Sequence, residues 1–184
     1  MPKSIFIFSV ILFVVLIVAS NYLVQFPINK WLTYGAITYP ITFLMTDILS
    51  ERYKKKEVLK VVKYGIIFAV LPTFMMSNWR IALASIATFS IVQLMDVHIF
   101  HTLKERAKKL WWLRNNASTM TSQFFDTVLF FTLAFSFVMP FEKIAHLIVG
   151  DYSVKLIIAL LDTPIFYLLA IRVFKKKEVR ITDS

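Results

Sequence analysis

The chain has 184 residues, 58% of them hydrophobic and only 17% charged, with a net charge of +10 and a mean hydropathy of +0.69. A soluble domain of this length needs far less apolar sequence, so the composition excludes an ordinary globular protein. The absence of Cys excludes a disulfide framework and thiolate metal sites.

The apolar residues fall into six blocks, 4–24, 31–49, 58–76, 80–100, 118–139 and 152–174. Each is roughly 18–23 residues long, enough to cross a ~30 Å hydrocarbon layer as a helix. Lipid offers no partner for a free backbone group, so helices are the expected form. The expected fold class is an all-α integral membrane protein with six transmembrane helices, forming a single domain over residues 1–184. The first block follows Lys3 and could pass for a secretory leader. It is long for the apolar part of one and no A-x-A site follows, so it is read as a span.

The second block carries "TYPITFLMTDILSE". Tyr39, Thr42, Thr46 and Ser50 follow the i, i+3, i+7, i+11 line of one helix face, Asp47 flanks that line and Glu51 ends it. Pro40 removes a backbone donor there and frees a carbonyl. The fourth block carries "SIVQLMDVHIFH", where Gln93 and Asp96 share a face with Phe89 and Phe100 alongside. His98 and His101 lie on a different face and are read as interfacial, so no metal site is expected.

The fifth block opens on "RNNASTMTSQFFDT", residues 114–127. At about 100° per residue, Asn115, Asn116, Thr119, Ser122, Gln123 and Asp126 fall within one sector of about 120°. Phe124, Val128, Phe131 and Phe135 project elsewhere. A helix-packing seam uses Ser, Thr and Asn, but it does not need Asn, Asn, Gln and Asp together. The sixth block carries "DTPIFY", with Asp162 beside Pro164. Lys155 lies seven residues before Asp162, too far for an ion pair between them.

A carboxylate near the centre of a span costs about 2.5–3.5 kcal/mol. Asp47, Asp96, Asp126 and Asp162 should therefore face the bundle interior or a wet cavity. Carboxylates accept N–H donors, amides both donate and accept, and aromatic rings stack on flat ones. The set suits a flat heterocycle with a guanine-like edge.

The basic residues alternate in side along the chain: 17 of the 21 Lys and Arg fall on one side of the spans and 4, Lys30, Arg80, Lys143 and Lys155, on the other. The positive-inside rule makes the richer side cytoplasmic and puts both termini inside. Trp31 and Trp79 are expected at outer span ends, Trp111 and Trp112 in an inner loop, and the Lys runs at 54–56 and 175–177 near anionic headgroups. This distribution argues against nucleic-acid binding. No Gly-containing Asp motif of a membrane aspartyl protease and no Gly-rich pore filter is visible, so neither an enzyme nor a channel is expected.

"YPITFLMTDILSERY" (39–53), "QLMDVHIFHTLKE" (93–105), "LRNNASTMTSQFFDT" (113–127) and "LLDTPIFYL" (160–168) resemble the queuosine precursor transporter family, also called the vitamin uptake transporter family. One departure is Lys54 and Lys55 after "SERY", where that family is expected to carry a Gly. The resemblance implies uptake of 7-deazaguanine queuosine precursors, in the 7-cyano or 7-aminomethyl form, across the cytoplasmic (inner) membrane. It also implies a bundle similar to the substrate-binding component of energy-coupling-factor importers. On that reading the substrate-contacting candidates are Tyr39, Thr42, Thr46, Asp47, Phe89, Gln93, Asp96, Asn115, Asn116, Thr119, Gln123, Asp126 and Asp162, with no cofactor. A homo-oligomer, an energy-coupling partner, and a structural subunit without a ligand all stay open.

Overall fold

The computed structural model describes residues 1–29 and 32–172. Lys30, Trp31 and residues 173–184, and with them the expectations for Trp31, for the 175–177 Lys run and for the end of the sixth span, lie outside the described residues. Six long helices follow one another: α1 (Lys3–Leu23), α2 (Tyr34–Arg52), α3 (Lys55–Met76), α4 (Trp79–Arg106), α5 (Trp111–Phe135) and α6 (Phe141–Phe166). Between α1 and α2 the chain makes a short antiparallel pair, β1 (Pro27–Asn29) and β2 (Leu32–Thr33), which hydropathy gave no reason to expect.

The helices outrun the apolar blocks at their polar ends. The first two turns of α5, from Trp111, hold the polar residues that precede the fifth block. The sixth helix starts at Phe141, directly after Pro140, and not at 152 as the hydropathy block suggested. Its extra turns contain Asp151. Beyond Pro164, whose missing N–H breaks the α ladder, the same helix continues as a π turn over Tyr167–Arg172.

Packing closes the helices into a ring. Helix α1 lies on α2 and α3, α3 on α4, α4 on α5, α5 on α6, and α6 returns to α2. Helix α2 also touches α3, α4 and α5, so it is the strut that every other helix meets. Two glycines permit close approaches. A Cβ on Gly35 would sit 2.8 Å from Cβ of Val24, and one on Gly65 would run into the Phe13 ring. Phe13 in turn packs on Phe89, which meets the edges of Tyr39 and Phe43.

The interior is polar and the exterior apolar. Tyr39, Thr42, Thr46, Asp47 and Ser50 of α2 and Asn115, Ser118, Thr119, Ser122, Gln123, Asp126 and Thr127 of α5 are all buried. Phe8, Leu71, Met75 and Leu161 are each more than 60% exposed. This inverts the water-soluble pattern and suits a lipid surround. Four helices, α1, α3, α4 and α6 with its π extension, are long and apolar enough to cross a membrane. Helices α2 and α5 carry most of the buried polar side chains and so lack that hydropathy. The protein is a multi-pass helical membrane protein.

Candidate functional site

Three polar clusters lie along the axis of the ring. The first is at the end of α2 that carries Glu51. Arg114 donates to both Glu51 carboxylate oxygens at 3.0 and 2.8 Å and to the Lys108 carbonyl at 2.9 Å. Lys104 donates to the Ser50 and Glu51 carbonyls, placing a cation where the helix dipole is negative. Arg114 is buried in this clamp and does not stand at an open rim.

The second cluster is central. Gln93 Nε2 donates to Thr42 Oγ1 at 3.3 Å, and Thr46 Oγ1 donates to Gln93 Oε1 at 3.3 Å, so these three side chains hold one another. Thr119 donates to Asp47 Oδ2 at 2.6 Å. Asp96 lies among Asp47, Thr46 and Ser122. Asp96 and Gln123 are both 0% exposed. Neither oxygen of Asp96 makes a hydrogen bond of good geometry, although the Asp47 carboxyl and the Thr46 and Ser122 hydroxyls stand beside it, and neither polar atom of Gln123 has a partner, nor has Thr88 Oγ1. Leaving one buried polar atom unsatisfied costs about 1–3 kcal/mol, and such atoms call for an explanation. Asp47 of α2, Asp96 of α4 and Ser122 of α5 stand together, Gln123 follows Ser122 on α5, and Thr88 lies about 12 Å along α4 from Asp96.

The third cluster lies one turn further along α5, beside Tyr39. Lys155 Nζ donates to Asp126 Oδ2 at 3.1 Å, pairs with Asp151 Oδ2 at 2.8 Å and reaches Thr127 Oγ1 at 3.1 Å. Thr127 donates to Asp151 at 3.1 Å. The side chains of Lys155, Asp126 and Asp151 are each 4% exposed. The ammonium also sits 5.3 Å from the centre of the Tyr39 ring, a cation–π distance. The Tyr39 hydroxyl is held by Asn21 at 3.0 Å and Ser85 at 2.6 Å.

The expected site residues thus separate. Thr42, Thr46, Asp47, Gln93, Asp96, Thr119 and Gln123 come together in the central cluster. Asp126 joins the ion triad, and Phe89 is enclosed by Phe13, Tyr39 and Phe43. Asn115 is buried towards the Glu51 end, with its Oδ1 unpartnered. Asn116, at the edge of the α5 stripe, turns to α6 and accepts from Thr163 at 2.9 Å. Asp162 is only half-buried and stands about 10 Å along the α6 axis from Lys155.

Lys155, counted with the outer-side charges, is buried inside the bundle on α6. Asp151 was missed because it precedes the sixth apolar block by one residue. The i, i+4 spacing of Asp151 and Lys155 was the available signal. Among the described residues no group of three His, Cys, Asp or Glu is placed to hold a metal ion. His98 Nδ1 lies 2.6 Å from the Leu94 carbonyl on its own helix.

A family model described as "Putative vitamin uptake transporter" matches residues 33–169. Among curated proteins the chain is 29% identical over 160 residues to the "Probable queuosine precursor transporter" of Bacillus subtilis (strain 168), covering 73% of this chain and 70% of that one. It is 32% identical over 142 residues to the "Queuosine precursor transporter" of Escherichia coli (strain K12), covering 65% and 63%. It is 27% identical to a "Probable queuosine precursor transporter" of Haemophilus influenzae (strain ATCC 51907 / DSM 11121 / KW20 / Rd), over 91% of this chain and 87% of that one. No solved structure matches the chain.

Proposed function

The chain belongs to the vitamin uptake transporter family, and we propose that it takes up 7-deazaguanine precursors of queuosine across the cytoplasmic membrane. The observation that carries this reading is the set of polar atoms on Asp96 and Gln123 that lack a hydrogen bond of good geometry, closed inside a ring of helices. The names of the three relatives point to the same substrate.

A deazaguanine edge presents a ring N–H and an amino N–H side by side, next to a carbonyl. Asp96 accepts from this N–H edge through its carboxyl oxygens. Gln123 Nε2 donates to the carbonyl, and its Oε1 and the Ser122 hydroxyl serve the remaining ring atoms. Thr42, Thr46 and Gln93 already satisfy one another and act as a frame that holds the α2–α4 face in register. Asp47, fixed through Thr119, faces Asp96. Phe89, enclosed by Phe13, Tyr39 and Phe43, braces the α2–α4 face and is not itself a stacking surface for the base.

All six helices cross the membrane in this proposal, α2 and α5 included, because their polar faces are turned inward. The Lys and Arg clusters at 52–63 and 104–114 lie at the cytoplasmic side, with both termini there. The bundle then resembles the substrate-binding component of energy-coupling-factor importers. Whether a partner drives uptake is read by whether the purified chain alone moves precursor into liposomes.

The test uses cells that cannot make the precursor but are fed it, with queuosine in tRNA as the readout. Queuosine should appear with this chain, vanish without it and vanish with Asp96→Asn. No chain-dependent queuosine, despite verified membrane insertion, would overturn the proposal.

A further inference from the structure

The ion triad beside the central cluster has more acid than base. Lys155 is shared between Asp126 and Asp151, and both carboxylates are as buried as the lysine. The other buried basic side chain among the described residues, apart from His101, is Arg114, and it is committed to Glu51 at the far end of the bundle. Two carboxyls thus surround one ammonium in a low-dielectric interior, and since a bare charge there is costly the second carboxyl takes either a proton or a second cation.

Position adds a second, independent observation. Gln123 is three residues before Asp126 on the same face of α5, about 4.5 Å lower along the axis. Its two polar atoms are fully buried and unpartnered, so they point to a ligand one turn from the triad. In a 7-deazaguanine the substituent at position 7 leaves the five-membered ring on the side of the 6-carbonyl, away from the 2-amino group, and so next to whatever holds that carbonyl. A base whose edge is held by Asp96 and whose carbonyl is held by Gln123 has its 7-substituent next to Gln123.

We propose that the Asp126–Lys155–Asp151 triad is the subsite for the 7-substituent, and that it selects the precursor with a protonated aminomethyl arm over the one with a neutral nitrile. This rests on the reading of Asp96 and Gln123 as the base site. The incoming ammonium becomes the second cation of a set of two carboxylates and two cations. Thr127 and Lys155 fix the carboxylates in place before it arrives. A nitrile brings no charge and leaves the imbalance as it was.

The experiment is a calorimetric titration of the purified full chain with the 7-aminomethyl and the 7-cyano compound. Wild type should bind the aminomethyl form about tenfold more tightly or better, the order expected of one partly screened charge pair. An aminomethyl arm capped by N-acetylation should lose that advantage, because its nitrogen no longer carries a proton. Asp151→Asn keeps the size of the side chain and an oxygen for Thr127, and should bring the two affinities within about twofold of each other. Equal binding by wild type, tighter binding of the nitrile, or retention of the advantage after acetylation would overturn the proposal even if the variant failed to fold. An equal loss for both compounds in a folded Asp151→Asn protein would overturn it too. Binding of neither compound by wild type would instead overturn the base-site reading, and this subsite with it.

Discussion

Removing the Lys155 charge tests how the interior is held together. In Lys155→Met the aliphatic bulk is kept, but Asp126 and Asp151 lose an ammonium at 3.1 and 2.8 Å. Both carboxylates are 4% exposed, so water cannot replace it. Breaking a buried ion pair from one side costs about 3–5 kcal/mol, because the partner stays behind uncompensated. For a chain of this size that is a fall of about 6–20 °C in the melting temperature. The assay is thermal unfolding of the detergent-purified protein. The triple variant Lys155→Met, Asp126→Asn, Asp151→Asn removes all three charges together and should recover more than half of the loss. A single variant that melts within about 2 °C of wild type, well under the range above, would refute the burial argument.

Other perturbations have separate signs. Asp96→Asn should leave the melting temperature unchanged or raise it, since it removes one of two facing buried carboxyls and breaks no hydrogen bond of good geometry; a fall of several degrees in the same assay would mean that the carboxyl is held in place by its neighbours. Gly65→Ala should cost about 1–3 kcal/mol, because the added methyl meets the Phe13 ring and moves it against Phe89; unfolding in denaturant measures this. Arg114→Ala should cost about 2–3 kcal/mol by stranding Glu51 and the Lys108 carbonyl, and Glu51→Gln in the same background should return part of it in the same unfolding assay.

The helical fold was legible because hydropathy over about 20 residues is a direct readout of lipid contact. The α5 stripe was legible too, because one helix face needs only the 3.6-residue period. What the sequence could not supply was pairing between helices. Asp96 and Asp126 look alike in a linear reading, both carboxylates in apolar segments. Only packing reveals that a lysine of α6 meets Asp126 and that no cation meets Asp96. The same limit left Lys155 counted among the outer-side charges: the run at 141–151 mixes Glu, Lys, His, Gly and Asp with apolar residues, so hydropathy gave no sign that the helix begins at Phe141. Asp162 was singled out for being acidic in an apolar block, yet it is half-buried at a distance from the centre. The β1–β2 hairpin between α1 and α2 is too short to leave any periodic trace.

The most direct test of the account is equilibrium binding of the 7-aminomethyl precursor to the purified chain and to Asp96→Asn. The substitution exchanges an acceptor of two N–H donors for an uncharged amide. Two hydrogen bonds at about 0.5–1.5 kcal/mol each make the expected loss about tenfold or more. Saturable binding by wild type that falls by that factor, in a variant that melts no lower, is the predicted result. Equal affinity in the two proteins would contradict the claim that Asp96 reads the base.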